Sequence, residues 1–132
     1  MVKPVDIAAE LAKLPTLHLR APDTSEEEAA ASFASIVPFC DDGVFVGSFD
    51  GKSPWERHRN GDEIVQVIAG STTLTVLTDT DTHVLTMKAG MMTVVPQGCW
   101  HRFEAPDGVS VLTVTPTPTD ISSADDPRAE QD

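Results

Sequence analysis

Apolar positions recur along this chain in two rhythms. Before about residue 43 the spacing is helical or extended: Ile7, Leu11 and Leu14 lie on one helical face, Pro15 ends that stretch, and Thr16 to Arg20 reads as a short strand. Ser25 with Glu28 three residues later, ahead of an alanine-rich run, has the capping-box pattern and predicts a helix that ends near Ile36, before Pro38. From Gly43 the rhythm changes to short runs of Val, Ile, Thr and Phe, punctuated by Gly, Pro, Asn and Asp. The predicted strands are Val44 to Phe49, Trp55 to Arg59, Glu63 to Ala69, Thr73 to Thr78, His83 to Met87, Met92 to Val95, Trp100 to Glu104 and Val109 to Val114. So many short strands with tight turns predict an all-β barrel or sandwich and not alternating β and α units. From Pro116 onward Pro, Thr, Ser, Asp and Glu dominate, and a segment with so little to bury is expected to be disordered. The chain thus divides into a lead-in over 1–42, a barrel over 43–115 and an acidic tail over 116–132, with no internal repeat.

Composition narrows the partners. The 132 residues suit one domain, and a 40% hydrophobic share can fill its core. With nine Lys and Arg against 21 Asp and Glu, the net charge is −12, which repels phosphate backbones and anionic lipid surfaces and argues against a nucleic-acid partner. The opening residues carry Asp6, Glu10 and Lys13 and lack the apolar core of a secretory signal, and no run approaches a membrane span. Two cysteines, Cys40 and Cys99, are too few for a disulfide framework. A cytoplasmic location is expected.

The segment from Trp55 to Glu63 concentrates the candidate chemistry. Asn60-Gly61 between strand-like runs is a hairpin signal. With those two residues as the turn, His58 lies opposite Glu63 on one face, and Glu56 returns to that face by alternation. Three potential metal ligands therefore face one way, while Trp55, Arg57 and Arg59 face the other. Taken alone, such carboxylates are ordinary on a solvated hairpin. A second stretch, Gly90 to His101, ends a strand at Pro96, is expected to turn over Val95 to Gly98 as type I, and starts a strand bearing His101.

Together the two stretches resemble the paired signatures of the cupin family. The first runs Gly, five residues, His-x-His, three or four residues, Glu, six residues, Gly; the second runs Gly, five residues, Pro-x-Gly, two residues, His, three residues, Asn. Here His58, Glu63 and Gly70 keep the first spacing, Glu56 stands at the first histidine, and Gly51 falls one residue short. Gly90, Pro96, Gly98 and His101 keep the second, with Ala105 in place of its Asn. The resemblance implies a jelly-roll β-barrel (double-stranded β-helix), in which Asn60-Gly61 is a bend between sheets, and a metal site on Glu56, His58, Glu63 and His101. It also implies a homodimer, in keeping with exposed strand edges that seek partners.

A mixed imidazole and carboxylate set suits one divalent ion, Fe, Mn, Ni or Zn. The leading expectation is a small metal-dependent cupin, an oxygenase or isomerase type of enzyme acting on a small polar organic molecule, with Glu56 as a catalytic acid or base if it is not a ligand. The alternatives are a non-catalytic binding or sensing module and a metal-free scaffold. Cys99, two residues before His101, is placed at the pocket mouth or as a buried inert thiol. His18 and His83 are read as structural or surface residues.

Overall fold

The structure is a computed structural model that describes residues 2–130. In chain order its elements are α1 (Ile7–Ala12), β1 (Leu17–Arg20), α2 (Glu26–Ala30), β2 (Phe33–Phe39), β3 (Asp42–Lys52), β4 (Trp55–His58), β5 (Glu63–Leu77), β6 (Thr82–Lys88), β7 (Met92–Val95), β8 (Trp100–Thr115), β9 (Thr119–Ser122) and a 3-10 turn (Pro127–Glu130). The strands form a curled jelly-roll barrel, the all-β fold that the punctuated apolar runs predict. Its spine is β8, which pairs antiparallel with β3, β4 and β5. β6 and β7 add to β5, β1 and β2 add to β3, and β9 adds to β4.

Two pairs of predicted strands are single long strands. Glu63 to Ala69 and Thr73 to Thr78 merge into β5, and Trp100 to Glu104 and Val109 to Val114 merge into β8. The pairing continues because both strands bend at the same level. Gly70 has φ 75°, and a Cβ there would meet the Gly108 carbonyl oxygen at 2.3 Å, so the two backbones close on each other only because residue 70 carries no side chain.

The lead-in departs further. Asp6 and Ser25 cap α1 and α2 by accepting from the Ala9 and Glu28 amides, but α2 stops at Ala30 and not near Ile36. Residues 33 to 39 pair with β3 instead, since Phe33, Ile36, Val37 and Phe39 favour a pleated surface over a helix. At the other end, the expectation of disorder from Pro116 is corrected by β9. Trp55 to His58 pair with Ser122 to Thr119, Arg57 and Arg59 both reach the Asp120 carboxylate, and Trp55 Nε1 donates to the Asp125 carbonyl at 3.2 Å. The tail buries Pro116 and Pro127, and its backbone and Asp120 find partners on β4. Gln131 and Asp132 lie outside the described residues.

Phe49, Val65, Val67, Leu74 and Val111 fill the barrel, each less than 2% exposed. Truncating Leu74 to Ala would cost about 2–5 kcal/mol on the usual scale for such cavities. Trp55, Leu77 and Trp100 make a second cluster on the other face of the sheet. Arg57 stacks over Trp100 at 4.3 Å and Arg102 over Trp55 at 4.4 Å, so both tryptophans turn away from the interior as alternation predicts. No helix among the described residues is long and apolar enough to cross a membrane.

Candidate metal centre

His58 ends β4 and Glu63 begins β5, and the four residues between them do not form a hairpin. β4 pairs with β8 and β9, whereas β5 pairs with β6, β7 and β8, so Arg59 to Asp62 bend from one part of the sheet to another. The inward orientation survives because a second turn clamps the bend. Gly98 N donates to the His58 carbonyl at 2.9 Å, Gln97 N to Asp62 Oδ1 at 2.8 Å and Gln97 Nε2 to the Arg59 carbonyl at 2.6 Å. That turn runs from Pro96 to Cys99, one residue later than expected, with Cys99 N bonded to the Pro96 carbonyl at 3.1 Å. Gly98 therefore takes the third position, and its φ of 79° suits a type II turn, which needs glycine there.

These constraints bring His58, Glu63 and His101 together. All three are buried, and one ligand atom from each lies within 4.8 Å of the others. Glu63 Oε2 is 3.3 Å from His58 Nε2, and Oε1 is 2.9 Å from His101 Nε2. The outer nitrogens are held: His101 Nδ1 is 3.2 Å from the Cys99 carbonyl, and His58 Nδ1 is 3.1 Å from Thr119 Oγ1. Because a carbonyl only accepts, His101 Nδ1 carries the hydrogen, and in the neutral ring Nε2 presents a lone pair to the interior. Thr115 Oγ1 donates to Glu63 Oε2 at 2.6 Å and in turn meets Thr113. Glu63 Oε1 is buried without a hydrogen-bond partner, although His101 Nε2 lies 2.9 Å away. An orphaned anionic oxygen between two tethered imidazoles fits a divalent cation.

Electrostatics agree. Burial opposes ionisation of Glu63, but the close imidazoles of His101 and His58 outweigh it and bring its pKa down from 4.5 to about 2. Burial also opposes a charge on His101, yet Glu63, with help from Glu56 and the Cys99 carbonyl, raises its pKa above the usual value. The metal-free centre is thus a carboxylate sharing a proton-bearing imidazole, the charge arrangement that a cation would replace.

Of the four residues named from sequence, Glu56 is not part of this group. It pairs in register with His101 and lines the same cavity, but its nearest charged partner is Arg20, whose Nη2 is 4.0 Å from Oε1. The cavity has a volume of about 390 Å³ and is walled by Phe33, Phe49, Phe103 and Val111 on its apolar side and by Thr113 and Thr115 beside the centre. Cys99 lies outside this cavity, packed against the core, and burial with Asp79 and Asp62 pushes its thiol up, away from the reactive thiolate. His18 pairs with Asp50 at 2.7 Å on the surface, and His83 is exposed on β6.

Three cavity residues escape sequence reasoning. Arg20 arrives from the lead-in because β1 runs parallel beside β3, pairing with Gly51. Thr115 ends β8, and Thr119 opens β9 within the tail. Only the glycine hints at the first: Gly51 has φ 95°, and a Cβ on it would meet the Arg20 carbonyl oxygen at 2.3 Å.

A family model described as Cupin domain matches residues 49–115, and the chain belongs to the cupin family. Among solved structures it is similar to a protein from Neisseria meningitidis, at 17% identity over 87% of this chain and 100% of that one, with a TM-score of 0.64. A cupin-2 domain containing protein from Shewanella frigidimarina shares 22% identity over 73% of this chain and 96% of its own, with a TM-score of 0.53. A hydroquinone 1,2-dioxygenase, solved in complex with Cd2+ and 4-hydroxybenzonitrile, shares 22% identity over 64% of this chain, with a TM-score of 0.56. The chain spans 63% of that dioxygenase chain. At these identities the likeness establishes the fold alone. No curated protein matches by sequence.

Proposed function

We propose that the protein is a metal-dependent enzyme that holds one divalent ion, Fe, Mn, Ni or Zn, on His58, Glu63 and His101 and acts on a small organic molecule in the adjoining cavity. The observation that carries this reading is Glu63 Oε1, a buried carboxylate oxygen without a hydrogen bond, set between two imidazoles whose far nitrogens are already engaged. Two histidines and one carboxylate leave further coordination positions, as an ion that meets a substrate needs. Once bound, the ion supplies Lewis acidity toward a substrate oxygen. The remaining tasks fall to the chain. Phe33, Phe49, Phe103 and Val111 exclude water and take up an apolar body, Thr115 fixes the Glu63 carboxylate, and Glu56 stands in the same cavity as the group to accept or return a proton. The structurally similar dioxygenase was solved in complex with both Cd2+ and an aromatic ligand, which supports a reading that pairs an ion with an organic molecule. Titrating chelator-treated protein with Mn(II), Ni(II) or Zn(II) in a calorimeter tests the centre. One ion per chain, lost in Glu63→Gln, is the expected result; stoichiometric binding that survives this substitution would refute it.

A further inference from the structure

Arg20 presents a buried cation that the fold itself does not satisfy. Its side chain is only 7% exposed, and Nε has no hydrogen-bond partner. The guanidinium carbon lies 4.7 Å from the Phe49 ring centre and 5.4 Å from that of Phe33, which fixes the plane without engaging its donors. The nearest carboxylate, Glu56, is 4.0 Å from Nη2, beyond hydrogen-bond range. Buried guanidinium groups ordinarily meet paired acceptors, and this one lines the cavity that also holds His58, Glu63 and His101.

Resting on the reading of that cavity as an organic-ligand site, we infer that the ligand is a small monocarboxylic acid, gripped at its carboxylate by the Arg20 guanidinium, with an apolar or planar body against Phe33, Phe49 and Phe103. A carboxylate supplies two coplanar acceptors that match the guanidinium fork. Arginine also binds phosphate, but here Glu56 and Glu26 line the same cavity, and a doubly charged group would meet their repulsion with one cation to offset it. Glu56 pairs in register with His101 and approaches Arg20, so it stands between the carboxylate anchor and the metal centre. An acid held at Arg20 therefore extends its other end toward His101. This assignment makes Arg20 a specificity residue and makes Glu56, at 4.0 Å, a neighbour of the same charge as the ligand that weakly competes with it for the guanidinium.

The test is a set of acids from propionate to benzoate, each paired with its own amide, titrated into the full chain with and without metal. At least one acid should bind about tenfold or more tightly than its amide, and the preference should persist after chelation because Arg20 and not the ion carries it. Arg20→Gln should abolish the preference while leaving metal content unchanged. Since Arg20 packs on two rings and its loss can disturb folding, Glu56→Gln serves as the second variant: freeing the guanidinium should tighten the acid severalfold and leave the amide unaffected. Equal binding of every acid and amide, a preference that survives Arg20→Gln, or tighter binding of phenyl phosphate than of benzoate would overturn the inference. Metal content is measured on the same samples, so failure of the metal reading and failure of the carboxylate anchor are separate results.

Discussion

Thr119 Oγ1 lies 3.1 Å from His58 Nδ1, which ties a residue of the supposedly loose tail to a ligand of the candidate centre. The contact exists because β9 pairs with β4 in a register that sets Thr119 opposite His58. A hydrogen bond to the far nitrogen of a ligating imidazole fixes ring orientation and tautomer.

Thr119→Val keeps the shape and removes that bond. Metal affinity should fall about tenfold, at the lower end of the range for such supporting contacts. Competition against a chelator of known affinity measures it, with circular dichroism to confirm that the barrel is intact. Unchanged affinity would mean that β9 does not support the centre.

Gly51→Ala should destabilise the barrel by about 1–3 kcal/mol, the usual cost of forcing a side chain into left-handed backbone, with the close Arg20 carbonyl adding to it. Urea unfolding of both proteins measures the difference. A variant within a few tenths of the parent would show that β1 does not seat against β3 as described.

The metal-free centre makes stability depend on pH in two directions. Glu63 has a folded pKa lowered to about 2 from 4.5, so its contribution is full above about 4.5 and is lost as pH falls toward 2. His101 has a raised folded pKa, so its contribution is full below 6.5 and is lost as pH rises through the folded value. The stability gap between chelated parent and chelated Glu63→Gln should therefore be widest between about 4.5 and 6.5 and narrow on both sides. Denaturant midpoints across this range check it; a gap that grows steadily above neutrality would contradict the pairing.

Met91, Met92 and Val94 are 46%, 56% and 48% exposed on and beside β7, a strand that among the described residues pairs only with β5. Such an apolar edge favours association of two copies. Light scattering at micromolar concentration should report a homodimer, and Val94→Lys should shift it toward the monomer. A parent that is already monomeric would remove this edge as an interface.

Much of the centre is legible in the sequence because it lies in two short stretches with fixed spacing. His58 and Glu63 follow from strand alternation and His101 from the resemblance to the second cupin signature, even though the expected hairpin is a bend and the turn falls one residue later. Alternation also places Glu56 in the cavity, but it cannot say how far a side chain reaches, and Arg20 was invisible as its neighbour. Arg20 and Thr119 come from the two ends of the chain, and only the pairing of β1 with β3 and of β9 with β4 brings them in. The strand at Thr119–Ser122 carries too little apolar surface to register as a strand; it forms because β4 offers it an unpaired edge and two arginines for Asp120.

The central claim is that His58, Glu63 and His101 form one metal site. Elemental analysis of the full chain, purified without an affinity tag or chelator and reloaded with a single divalent ion, tests it most directly alongside His58→Ala and His101→Ala. One ion per chain in the parent and less than about a tenth of that in either variant is the predicted result, since removing one imidazole leaves too few donors to retain a labile ion. A parent that takes up no ion from any of Fe(II), Mn(II), Ni(II) or Zn(II), or variants that keep a full complement, would contradict it.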